Sequence, residues 1–200
     1  MYPLGHLGIA LTATRLIGYV GYKVKAGISH QPDELRFENV SERAKKWISR
    51  SLDTRFLLLG AVLPDIIDKP WGLLLMKPSI ASGHFLCHTL LFALILFAIA
   101  VISRGRTKKA MFALAIGTSF HLLLDYSWQD PHTLFWPLLG WQFDRGTSGS
   151  FMQASQDAFH WLVTSPDFIL GEVIGGISLL ITFGRLNKEG WRRFIKSGQL

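Results

Sequence analysis

His84 and His88 stand four residues apart, and so do His121 and Asp125, with each pair at one end of a long apolar run. Residues at that spacing share a helix face. Imidazole and carboxylate are donors with which proteins hold divalent metals. Ionisable groups inside apolar segments are costly, so they mark functional positions. Two more carboxylates, Asp65 and Asp68, fall in Pro64-Asp65-Ile66-Ile67-Asp68-Lys69-Pro70. Proline at both ends predicts a break in helical structure. At membrane depth such a break is tolerated only where backbone lines a cavity or is buried in protein.

The elements that would position these residues are apolar helices. Phe85 to Ser103 and Met111 to Leu124 carry no formal charge, and Phe168 to Gly184 carries only Glu172. Leu7 to Tyr22 is interrupted by Arg15, and Phe56 to Met76 by Asp65, Asp68 and Lys69. A spanning helix needs about 20 mostly apolar residues. With 49% hydrophobic residues, the chain reads as an all-α membrane bundle of four to five embedded helices in a single domain over residues 1–200. Ser165-Pro166-Asp167 marks the start of the last of these, with Ser as N-cap and Pro at the first helical position. Ser41 is expected to cap an amphipathic basic helix lying on the cytoplasmic leaflet or packed on the bundle. The aromatic stretch from Tyr126 to Ser165 is expected to form an interfacial cap.

The net charge of +7 is unevenly spread. Lys and Arg concentrate between Lys23 and Arg55, between Arg104 and Lys109, and from Arg185 to Lys196. In a chain weaving through a bilayer these three regions share one side, the positive-inside pattern. The basic loops and the C-terminus are therefore expected on the cytoplasmic side of the cell membrane. No DNA-reading motif accompanies them, so nucleic acid is not an expected partner. The N-terminus lacks the basic region and cleavage site of a signal peptide. Cys87 is the single cysteine, which excludes an internal disulfide, and it is expected to pack rather than ligate.

The basic turn from Ser103 to Lys109 predicts a hairpin of two helices. His88 and His121 lie at nearly equal distances along the chain from Arg106, as do His84 and Asp125. At about 1.5 Å per residue the two pairs come to the same height, at the end away from the basic loop. His6, Asp65, Asp68 and Glu172 fall at that level too. His132 and His160, in the aromatic stretch, are expected at the surface. Asp65, His88, His121 and Asp125 are the central candidate ligands, with His6 and Glu172 beside them. Oxygen and imidazole donors without thiolate suit zinc, manganese, iron or magnesium, as one or two ions.

Four blocks in order give the chain a family resemblance: Gly5-His6-Leu7, Leu63-Pro64-Asp65-Ile66-Ile67-Asp68, His88-Thr89-Leu90, and Gly117 to Asp125 followed by Phe135-Trp136-Pro137. Together they resemble the membrane-bound metal-dependent hydrolases, also described as LexA-binding, inner-membrane-associated hydrolases. The order of His, Asp, His and His-x-x-x-Asp is also similar to the all-helical zinc-dependent phospholipase C proteins. Asp68 stands one residue later than the family's second aspartate, Cys87 stands where Thr is usual, and the family's His-Arg-Gly is absent. The resemblance implies a metal-dependent hydrolase of an ester or phosphoester bond, in a lipid or another membrane-associated substrate. Asp68 or His84 would then serve as a further ligand or as general base. The competing class is a non-enzymatic membrane protein that binds or carries metal, or that uses these polar residues as helix contacts.

Overall fold

The computed structural model describes residues 3–28, 52–72, 84–143, 152, 156, 159–160 and 163–200. Among them every regular element is helical. In chain order these are α1 (Pro3–Ile28), α2 (Thr54–Gly60), α3 (Leu63–Pro70), α4 (Leu90–Ile102), α5 (Gly105–Leu124), a 3₁₀ turn (Ser127–Gln129), α6 (Pro131–Leu134), α7 (Pro166–Gly184) and α8 (Lys188–Ser197). The expected basic helix after Ser41 and most of the expected cap between 144 and 162 lie outside the described residues.

Three helix pairs build the bundle: α1 on α7, α2 on α5, and α4 on α5. Glycine sets two of these approaches. A Cβ on Gly8 would run into the Gly175 backbone, and one on Gly175 into that of Leu4. Gly60 meets the backbone of Leu114, and Gly117 that of Leu57 and Gly60, in the same way. Small residues at a helix crossing let the backbones touch. Polar contacts reinforce the first pair. The hydroxyls of Thr12 and Ser178 meet, and Arg15 donates to Thr182 Oγ1 at 2.8 Å. The buried core itself is small, centred on Leu11, Leu57 and Ala113 and on Leu96, Leu114 and Ala115.

The outer faces are apolar. α7 buries only Gly171 and Gly175 and exposes Leu170, Val173, Ile177 and Leu180. Its 19 residues make it the one described helix long and apolar enough to cross a membrane. α4 is more apolar still but has only 13 residues.

Four boundaries differ from expectation. α1 is longer at both ends than Leu7 to Tyr22. The proline-flanked segment is not a break but a short helix, because Pro64 falls in the first turn, where no N–H is needed, and Pro70 falls in the last. The interruption lies just before it, at Ala61 and Val62. The hairpin connection is shorter than Ser103 to Lys109, since α5 already begins at Gly105. Lastly, α4 starts at Leu90 rather than Phe85. Thr89 caps it, accepting from Phe92 N at 3.0 Å, and the residues before it belong to a non-helical turn. His84 and His88 therefore share no helix face.

Candidate metal centre

Asp68 organises that turn. Its carboxylate, fully buried on α3, accepts from the backbone N–H groups of Phe85 at 3.1 Å, Cys87 at 2.9 Å and His88 at 3.2 Å. It also takes His88 Nδ1 at 2.8 Å. The carboxylate wraps the chain around itself and outcompetes the helix that the apolar sequence favours. Cys87 is enclosed by the same wrap. Burial, and then the Asp68 charge, push its thiol up to about 12. It is a protonated side chain packed behind Asp68.

His121 comes from the last turn of α5, and its Nδ1 lies 2.8 Å from the carbonyl of Ala61, in the turn between α2 and α3. A carbonyl can only accept, so Nδ1 carries the proton and Nε2 presents a lone pair. Asp68 takes the His88 Nδ1 proton in the same way, so a neutral His88 also presents Nε2 as a lone pair, whereas a protonated His88 donates from Nε2 to His121. The two Nε2 atoms face each other at 3.2 Å, and His88 and His121 are 2% and 0% exposed.

Two carboxylates close on this pair. Asp65 Oδ1 lies 3.6 Å from His88 Nε2 and 3.8 Å from His121 Nε2. Asp125, the C-cap of α5, brings Oδ2 to 3.8 Å from each Nε2. Asp65 Oδ1 is buried and makes no hydrogen bond, while Oδ2 takes the Lys69 ammonium at 2.6 Å. Burial pushes the Asp65 carboxyl up, but a protonated His88 and the Lys69 ammonium outweigh it and hold the group well below the usual carboxylate range.

Asp65, His88, His121 and Asp125 thus offer four ligand atoms within 4.8 Å of one another. Donors about 2.1 Å from a common tetrahedral centre stand about 3.4 Å apart. The separations that involve an imidazole, 3.2–3.8 Å, bracket that value, and all four atoms lie within 4.8 Å of one another. The donor set fits a divalent cation: two lone pairs converge, and a buried carboxylate oxygen points at them unpaired.

The remaining predicted residues surround this group without joining it. His6 stacks on His121 at 4.2 Å and sets Nε2 3.3 Å from Asp125 Oδ1. His84, half exposed, brings Nε2 to 3.3 Å from Asp125 Oδ2. Glu172 is engaged at the start of α1, where its carboxylate accepts from Leu4 N at 3.2 Å and Gly5 N at 2.7 Å. There it satisfies orphan N–H groups and complements the helix dipole. His132 and His160 are exposed, as expected.

A cavity of about 230 Å³ opens beside the group, lined by His84, His88, Asp125 and the segment from Tyr126 to Leu134. Tyr126 adopts the left-handed conformation at φ 54°, which turns the chain out of α5 directly after Asp125. Two supports escaped the sequence reading. Lys69 was visible as the i+4 partner of Asp65 on a helix. The Ala61 carbonyl carries no sequence signal.

Neither the curated proteins nor the solved structures contain a match to this chain. The family model described as YdjM inner membrane protein matches residues 1–185, and the chain belongs to that family.

Proposed function

We propose that this inner-membrane protein is a metal-dependent hydrolase acting on an ester or phosphoester bond of a membrane-associated substrate. One observation carries the reading. The Nδ1 atoms of His88 and His121 are both tied to acceptors, so two imidazole lone pairs face each other at 3.2 Å beside an unpaired carboxylate oxygen. That contact calls for a positive charge between the rings, supplied by a bound metal ion or by a proton on His88 Nε2.

Asp65, His88, His121 and Asp125 would hold one divalent ion, with zinc the best match to two imidazoles and two carboxylates. When bound, such an ion polarises an ester or phosphoryl oxygen and acidifies water. His84, at the cavity mouth and in reach of Asp125, is the chain's own candidate for moving a proton there. Asp68 is assigned to holding His88 rather than to the reaction. His6 and Glu172 position Asp125 and α1.

The exposed apolar faces of α1, α4 and α7 support embedding of more than the one spanning helix. With the basic loops they support four to five embedded segments, a cytoplasmic C-terminus and a site on the opposite face.

Metal analysis of the purified full-length protein tests the reading. About one ion per chain is expected, lost in His121→Ala, with hydrolysis of a chromogenic phosphoester or carboxyl ester that disappears in parallel. Absence of metal from the wild type sinks the proposal. Stoichiometric metal without turnover on any ester would favour the second reading, a non-catalytic metal-binding membrane protein, which the near-complete enclosure of His88 and His121 also suits.

A further inference from the structure

α8 lies beyond the residues that the family model matches, which end at 185. It begins directly after the spanning helix α7, with Arg185, Leu186 and Asn187 as the connection. Asn187 caps it, accepting from Gly190 N at 2.8 Å, and Gly198 ends it in the left-handed conformation. Lys188, Arg192 and Lys196 follow one another at i, i+4 and i+8, with Trp191 and Ile195 on the same stripe. With Leu186 these residues line a groove of about 500 Å³.

The groove is apolar at its floor and cationic at its edge. Trp191 stacks on Phe183 at 5.5 Å yet stays 42% exposed, and Ile195 is 65% exposed. Among the described residues none of the three cations forms an ion pair. The helix is held in place, since Arg55 donates to the Ile195 carbonyl and Thr54 N to that of Gly198. A tryptophan, aliphatic side chains and unpaired cations at the end of a spanning helix match the boundary between acyl chains and headgroups.

We propose that this groove binds an anionic phospholipid, with the phosphodiester against Lys188, Arg192 and Lys196 and an acyl chain against Trp191, Ile195 and Leu186. Charge complementarity and continuity with α7 select a lipid over a soluble anion. The proposal is independent of the metal centre.

The test uses the full-length protein in dodecyl maltoside micelles, incubated with equal amounts of phosphatidylglycerol and phosphatidylcholine. After gel filtration the retained lipids are counted by mass spectrometry. Phosphatidylglycerol is expected in excess. Each cation at an anionic surface is worth about a fivefold change in partition, so Lys188→Gln/Arg192→Gln/Lys196→Gln should lower the excess by more than about tenfold. Lys188→Arg/Lys196→Arg should preserve the excess, and so should Arg193→Gln on another face. These folded controls keep the test informative if the triple variant aggregates. Equal retention of the two lipids by the wild type overturns the proposal, as does an undiminished excess in the triple variant. Displacement of phosphatidylglycerol by inorganic phosphate overturns it too, in favour of a free-anion site.

Discussion

A buried carboxylate that accepts several backbone N–H groups and an imidazole is hard to replace. Asp68→Asn keeps the shape but puts an amide N–H₂ where an acceptor is needed. It would face the Phe85, Cys87 and His88 donors or leave His88 Nδ1 without a charged partner. Residues that orient metal-bound histidines typically contribute 10–100-fold to affinity. Asp68→Asn is therefore expected to weaken metal binding by about that factor, read by competition with a chromophoric chelator. Lys69→Met tests the other support. It frees Asp65 Oδ2 and should weaken the metal more mildly, leaving the fold intact because the half-exposed Lys69 side chain is replaced by one of similar length. Cys87 gives a pH prediction at the same scale. A thiol pushed up to about 12 stays protonated at neutral pH, so maleimide labelling of the native protein should be slow at pH 7 and remain slow at pH 9. Denaturation should restore ordinary cysteine kinetics. Rapid native labelling would contradict the enclosure of Cys87 behind Asp68.

Legibility at the scale of elements divides along a physical line. Where a boundary is set by local chemistry it was readable: Pro166 opens α7 at the predicted place, although Ser165 at the N-cap makes no side-chain capping bond. The turn before α4 was not, because its cause is Asp68, distant in sequence, while the run from Phe85 onward has every local reason to be helical. The four clustered residues were readable for a reason that is only half right. His121 and Asp125 do follow one another down α5, whereas His88 reaches them from a turn. The glycine crossings suggest a contrast that separates close approach from helix propensity. Gly117→Val places a branched side chain against the backbones of Leu57 and Gly60, and Gly8→Val does the same at Gly175. Both should destabilise the protein by about 3 kcal/mol, the upper end of the usual overpacking cost, read as a lower unfolding temperature in micelles. Gly21, also on α1, meets nothing, so Gly21→Ala should be neutral or stabilising by up to about 1 kcal/mol.

At the scale of the whole molecule, the membrane class was legible because composition is a bulk property, and family membership agrees with it. The family's description concerns the membrane alone and supports neither the hydrolase nor the phospholipase C likeness. Orientation is the step that joins charge to chemistry. Basic residues gather at Arg104 to Lys109 and Arg185 to Lys196, while Asp65, His88, His121 and Asp125 lie at the opposite ends of α4 and α5. If the basic ends face the cytoplasm, metal and substrate must come from the other side. Reporter fusions after Lys109, after Gly140 and at Leu200 decide it. Alkaline phosphatase should be active only after Gly140, and a fluorescent protein that matures in the cytoplasm should be bright only at the other two. The same signal at Lys109 and Gly140 would mean that α5 does not cross the bilayer, and the site would then open on the side of the basic loops. A chelator that cannot enter cells offers a second readout. With the expected orientation it should strip the metal from intact spheroplasts, and it should fail to do so if the site faces inward.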